Sequence, residues 1–293
     1  MTDAPTRGRK GGGRARDTSR PPAPEPLPLP VADAHCHMDI ADGAEGEEWY
    51  SPEQAIADAA AVGISRIVQV GCDRPGVRWA VEAAERFPTV VAGVALHPNE
   101  APLLGAAGEL DDALAEVDTA AAHERVRAVG ETGLDFFRTA EDGRAVQESS
   151  FRSHIEIADR HGKALMIHDR DAHADVLRVL ADRAPDRVVF HCYSGDADMA
   201  RHCVERGWFL SFAGTVTFKN AEGLREALRV TPLDNVLVET DAPYLTPMPY
   251  RGRPNASYLI PHTVRVMAQV KGVPVEKLCL ALAANTERAF GSW

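Results

Sequence analysis

The stretch DAHCHMD, residues 33–39, sets His35 and His37 two positions apart. On an extended strand, residues i and i+2 point the same way, so both imidazoles can face one metal ion. Taken alone, two histidines near the start of a domain read equally well as ordinary polar residues. Four more positions carry metal-binding side chains: Glu131 in GETGLDFF, His168 in IHDRDA, His191 in FHCYSG and Asp241 in VLVETDAPYL. Four imidazoles and two carboxylates exceed what one tetrahedral ion uses. A two-metal cluster accounts for them, with a carboxylate such as Glu131 placed to bridge. Two ions about 3.5–4 Å apart can draw hydroxide from water and stabilise both the entering and the leaving oxygen of a displacement. Mixed imidazole and carboxylate ligation suits Zn2+ or Mn2+ and tolerates Mg2+. Asp241 is the candidate general base, since a carboxylate beside the ions can accept a proton from the attacking water. Its competing reading is a helix N-cap.

The elements that must position these side chains are legible as alternation. Strand-like runs fall at 31–35, 64–70, 89–96, 125–131, 163–168, 187–191, 207–212 and 235–240. Between them lie segments of helical periodicity such as PEQAIADAAAVG and RAVQESSFRSHIEIADRHG, each closing on a glycine. Alternating strands and helices predict a parallel sheet with right-handed crossovers. Eight such units in one chain fit a closed (β/α)8 TIM barrel, an α/β fold whose active sites form at the C-terminal strand ends. An open doubly wound sheet is the structural alternative, but HCHMDIADGAEG after the first strand lacks a glycine-rich nucleotide loop. The six metal-binding side chains all fall at or just beyond C-terminal strand ends, where a barrel brings them together.

Composition divides the chain in two. Residues 1–30 are rich in Gly, Arg and Pro, carry a net charge of +3, and read as a disordered tail whose removal leaves stability unchanged. Residues 31–293 read as the barrel domain and carry a net of −14, a poor general attractant for nucleic acid. A polyanionic substrate then needs a local reversal of the field, which bound dications can supply. No apolar run approaches the roughly 20 residues that span a bilayer, and no apolar stretch follows the basic N-terminus. The five cysteines (Cys36, Cys72, Cys192, Cys203 and Cys279) are odd in number and lack CxxC spacing. Reduced thiols in a cytoplasmic protein follow, with no membrane association and no obligate protein partner implied.

The ordered set DAHCHMD, GETGLDFF, IHDRDA, FHCYSG, FAGTVTFKNA and VLVETDAPYLTP…YRGRPN resembles the successive motifs of the TatD family of metal-dependent deoxyribonucleases. The resemblance covers residues 31–293. It implies a TIM barrel that hydrolyses DNA phosphodiester bonds, often as a 3′-to-5′ exonuclease on single strands. It further implies that His35, His37, Glu131 and Asp241 hold one divalent ion, and that Glu131, His168 and His191 hold a second. Related hydrolases bridge their metals with a modified lysine on the fourth strand; RVRAVGETG offers none, which favours the carboxylate bridge. The chain departs from the family pattern at Ala32, usually a larger apolar residue, and at Ser257, often a proline.

Substrate-binding candidates are less determined. His97, in ALHPNE, reads as a phosphate contact or as loop structure. Arg170 can clamp a phosphate or pair with Asp171 or Asp175. Lys219 and Arg251 are further phosphate candidates, and Phe137, Tyr193 and Tyr244 can stack on bases or wall the pocket. Asp33 points with the two histidines but deeper, as a support for them, and Cys36 points to the opposite face. Two other functions stay open on sequence: hydrolysis of a small amide, ester or lactone on the same fold, and a catalytically idle interaction barrel.

Overall fold

The computed structural model describes residues 5, 7–8, 17–43 and 49–292. Eight parallel strands follow one another around a barrel in sequence order. They are β1 (Val31–Cys36), β2 (Ile64–Gly71), β3 (Val90–Val94), β4 (Val126–Asp135), β5 (Ala164–Arg170), β6 (Val188–Phe190), β7 (Phe209–Phe212) and β8 (Val236–Val238). The chain therefore adopts the expected TIM barrel. Its strands are short, β-branched and almost wholly buried, as parallel strands covered on both faces must be. Alternate side chains separate two layers. Val68, Val70, Val91, Ala128, Met166, Val189 and Leu237 fill the interior, while Ile67, Val90, Val129, Leu165, Val188 and Val236 pack outward against the helices.

Local signals set the helix ends. Ser51 caps Pro52–Ala61 by accepting from Gln54 N, and Asp73 caps Arg74–Arg86 by accepting from Gly76 N at 2.7 Å. The long helix Glu141–His161 stops at Gly162, whose φ of 58° suits a left-handed C-cap. The last helix, Val275–Phe290, sends Ala289 and Phe290 into the barrel's inner cluster.

Ladder hydrogen bonds join every neighbouring strand pair from β1 through to β8. The remaining seam, β8 to β1, has no such ladder. It closes just past the strand ends, where Asp241 N donates to His35 O at 2.9 Å and His37 N donates to Ala242 O at 2.8 Å. Below these bonds the Asp33 carboxylate accepts from Thr240 N (2.9 Å), Thr240 Oγ1 (2.6 Å), Ser257 Oγ (2.8 Å) and His35 N (3.2 Å). The departure at Ser257 thus supplies a donor to a buried acid, and Asp33 supports His35 through its backbone N–H rather than through either imidazole.

The N-terminal stretch differs from its expected form. Most of residues 1–16 lies outside the described residues, so disorder there is neither seen nor contradicted; Arg7–Gly8 pairs with Ile40–Ala41. Residues 17–30, by contrast, are laid along the barrel. Leu27 is buried and its N–H donates to Val62 O at 3.0 Å. Tyr258 donates to Pro21 O at 2.6 Å, Arg265 to Glu25 O at 2.7 Å, and Arg20 forms an ion pair with Asp42 while covering the Tyr50 ring. The reason composition misleads is that prolines restrict the unfolded chain, so few contacts suffice to order it. Burying a leucine contributes about 1.5–3 kcal/mol. A chain beginning at residue 31 is therefore expected to melt roughly 5–10 °C below the full chain by calorimetry. An unchanged melting temperature would show that residues 17–30 add nothing.

Candidate metal centre

The barrel's C-terminal end gathers the six ligand candidates. His35 and His37 leave the end of β1 together, with their Nε2 atoms 3.1 Å apart. Glu131 lies within β4, which runs four residues past it, because β4 continues to pair with β5 up to Asp135 and Arg170. His168 lies two residues before the end of β5; His191 and Asp241 lie just beyond β6 and β8. Gly133, at φ 139°, allows that close pairing: a Cβ there would sit 2.1 Å from His168 O.

Glu131 divides the site in two. Its Oε2 faces His35 Nε2 at 3.6 Å and His37 Nε2 at 3.7 Å. Its Oε1 faces His168 Nδ1 at 2.6 Å, His191 Nε2 at 2.9 Å and His97 Nε2 at 3.3 Å. Asp241 Oδ1 completes the first side, 3.5 Å from His37 Nε2 and 3.9 Å from His35 Nε2. Three sets of donors converge closely enough to share an ion: His35, His37 and Glu131; His35, His191 and Asp241; and His97, Glu131 and His168. The donor chemistry fits divalent metals.

The outward ring nitrogens are held as well. His37 Nδ1 donates to Val70 O at 2.8 Å, which leaves Nε2 as the metal-facing atom. His191 Nδ1 donates to Glu239 Oε1 at 3.1 Å, and Cys192 N donates to the same oxygen at 2.8 Å. His168 Nε2 faces Asp135 Oδ2 at 3.3 Å, while Asn99 Nδ2 and Arg138 N donate to that carboxylate. Such partners fix the tautomer and orientation of ligating imidazoles. Glu239, Asp135 and Asn99 were not picked out from sequence. The available signal was spacing, since Glu239 stands two residues before Asp241 and Asp135 four residues after Glu131.

Charge compensation runs through the cluster. Burial alone would raise the Glu131 carboxyl; the charge of His191 and the hydrogen bonds from His168 and His191 overcome this and hold it well below the carboxylate range. Burial would likewise depress His191, but Glu131 and Glu239 lift it well above its ordinary value. Asp241 is held low against its burial by its contact with His37 and the charge of His191. Burial pushes His35 and His97 downward, so both favour the neutral form.

His97 belongs at this centre rather than in passive loop structure. Asn99 N donates to its Nδ1 at 3.0 Å, so the neutral ring carries its proton on Nε2, aimed at Glu131. A groove of about 1000 Å3 opens from the ligands and is lined by His97, Asn99, Leu103, Arg138, Arg170 and Tyr244. Glu100 and Asp142 line it too. Arg170 does not pair with Asp171 or Asp175; Asp175 is taken by Arg178 at 3.0 Å, and the Arg170 guanidinium lies over Phe137 instead. Lys219 and Arg251 are exposed and outside the lining of this groove, with Arg251 over the Phe218 ring. Tyr193 is buried and donates to Asp196 O at 2.8 Å, so it is unavailable for stacking.

Comparison with known proteins agrees with this geometry. Residues 32–291 match the family model described as TatD related DNase. The chain is 46% identical over 264 residues to the uncharacterized metal-dependent hydrolase TatD of Mycobacterium tuberculosis, covering 88% of this chain and 97% of that one. It is 34% identical to the uncharacterized metal-dependent hydrolase YabD of Bacillus subtilis, covering 88% and 98%. The crystal structure of YJJV, a TatD homologue from Escherichia coli, superposes with a TM-score of 0.76 at 25% identity, covering 90% and 98%. Matches of this extent, over the same strands that carry the converging side chains, mean that the chain belongs to the TatD family of metal-dependent hydrolases.

Proposed function

We propose that the protein is a phosphodiesterase acting on DNA, with two divalent ions (Zn2+, Mn2+ or Mg2+), and that it trims single-stranded ends in the 3′-to-5′ direction. The observation that carries this is the division of Glu131, one oxygen toward each set of imidazoles. That division suits a carboxylate shared between two ions, the kind of site that can clamp both oxygens of a phosphodiester displacement. The family model's own description as a DNase points the same way. His35, His37, Asp241 and Glu131 Oε2 would hold one ion; Glu131 Oε1, His168 and His191 would hold the other. The ions would supply concentrated positive charge that polarises the phosphoryl group and lowers the pKa of water.

The chain's own residues account for the remaining steps. Asp241, held ionised by His37 and His191, accepts the proton of the attacking water at its carboxylate. His97, its ring fixed by Asn99 N, directs its Nε2–H at Glu131 Oε1 and so helps to orient the carboxylate between the two sides of the site. Arg170 and Arg138 line the groove, and among the described residues neither has a carboxylate within 4.0 Å, so both guanidiniums remain available to the substrate strand, Arg138 to its phosphate. Lys219 and Arg251, on the exposed loops after β7 and β8, meet the strand farther from the cut. None of the five cysteines is in a disulfide, which suits the cytoplasm, and among the described residues no helix is long and apolar enough to cross a membrane.

Purified protein given 3′- or 5′-labelled single-stranded oligonucleotides is expected to shorten them from the 3′ end with Mg2+, Mn2+ or Zn2+ and to stop with EDTA. Turnover confined to small amides, esters or lactones would reject the reading. Asp241→Asn should keep the fold and bind at least one ion while losing about 10²–10⁴-fold in hydrolysis; near-normal turnover would remove Asp241 as the base. Glu239→Gln should weaken metal binding about 10–100-fold by titration calorimetry, with the melting temperature of the metal-free protein nearly unchanged. Equal affinity in that variant would show that His191 needs no carboxylate to orient it.

A further inference from the structure

Three large apolar side chains stand strongly exposed among the described residues: Leu103, Phe137 and Leu280. Leu103 lines the groove and Phe137 sits at its rim, so two of the three flank the metal centre. Phe137 is 62% exposed, yet it is not loose. Phe136 N donates to Arg170 O at 2.9 Å, which ties the end of β4 to the end of β5. The Arg170 guanidinium then lies 3.9 Å from the centre of the Phe137 ring. Such an exposed aromatic costs solubility and adds nothing to the core, whereas a fixed ring beside a catalytic groove offers a π surface to a ligand.

Position specifies the ligand. Arg170 lies two residues beyond His168 on the same strand, about 7 Å along it. The stack is therefore displaced from the ligand cluster by a short step toward the groove opening. A guanidinium stacked on an aromatic ring presents a planar surface together with positive charge, the combination that binds the bases and backbone of unpaired nucleic acid. A base locked in a duplex has both faces covered by its neighbours and cannot use such a surface.

We propose that the Phe137–Arg170 stack is a base-binding platform, which holds one unpaired nucleobase beside the bond to be cut and selects single strands over duplex. This rests on the phosphodiesterase reading above and names the part of the substrate that the groove recognises. The platform acts on a base, while Arg138 and the metal centre act on the phosphate.

The test couples protein and substrate changes. Single-stranded oligonucleotides carry an abasic residue at each of the last four positions in turn, and kcat/KM is measured for the wild type, Phe137→Ala and Phe137→Trp. For the wild type, one position is expected to cost about tenfold to a hundredfold relative to the intact strand. Phe137→Ala should lose that discrimination, and Phe137→Trp should retain it. Discrimination that persists in Phe137→Ala, or a wild type indifferent to every abasic position, overturns the platform while leaving the phosphodiesterase in place. A wild type that cleaves none of the strands with any of the three metals overturns the phosphodiesterase reading and the platform with it. Because Phe137 is exposed, melting temperatures should match, so a loss of fold would be visible separately.

Discussion

The seam between β8 and β1 is the constraint on which the site depends. Seven strand pairs are joined by ladders, and the eighth is joined by a buried acid. Asp33 receives four donors, two of them from Thr240, one from Ser257 and one from His35 N. That single carboxylate sets the height of Thr240 against His35, and so places Asp241 N on His35 O. The two ligand candidates from opposite ends of the chain meet because Asp33 aligns the strands that carry them. Burial at the seam pushes its carboxyl up to about 7 in spite of the four donors.

The ligand cluster itself is costly to fold. Six titratable side chains are drawn into a nearly dry end of the barrel, and burial works against the charge of each. They are tolerated because acids and imidazoles alternate, so each one's charge offsets the desolvation of the next. Ligating a dication demands neutral imidazoles and ionised carboxylates, and the low-lying Glu131 and Asp241 are already poised for that. The backbone shows the same concession. Cys192 and Asp241, next to or among the ligands, adopt φ of 42° and 53°, a region that non-glycine residues seldom enter. The barrel's outer layers, close-packed and regular, hold those conformations in place.

How much of this was legible in the sequence follows from where each residue's role is decided. Strand order and the six ligand candidates were readable, because a ligand's place is set by its strand and the strands are marked by their own β-branched runs. Glu239 and Asp135 were not, since their role depends on which nitrogen a neighbouring imidazole turns outward, a fact of ring rotation that spacing does not encode. The stretch 17–30 was misjudged for a different reason. Composition counts apolar residues, but Leu27, Pro21 and Arg20 are held by specific partners on the barrel surface. Lys219 and Arg251 stand close to the site's motifs in sequence, and the loops after β7 and β8 place them outside the groove's lining, a distance that sequence spacing does not encode.

Net charge poses the last problem, since an acidic chain is a poor vessel for a polyanion. For the DNA substrate proposed above, the difficulty is eased by the sorting of charge rather than by a change in its sum. On the outer helices, arginines are paired with acids: Arg74 with Glu116, Arg152 with Asp182, Arg178 with Glu148 and Arg229 with Glu226. At the groove, Arg138 and Arg170 have no such partners among the described residues. Paired surface charges cancel at short range, and salt screens what remains beyond about 8–10 Å. On the phosphodiesterase reading proposed above, an approaching strand would meet the unpaired guanidiniums and the metal centre before it senses the body's acidity. The tally of charges along the chain says little about its substrate; which arginines are left unpaired, and where, says more.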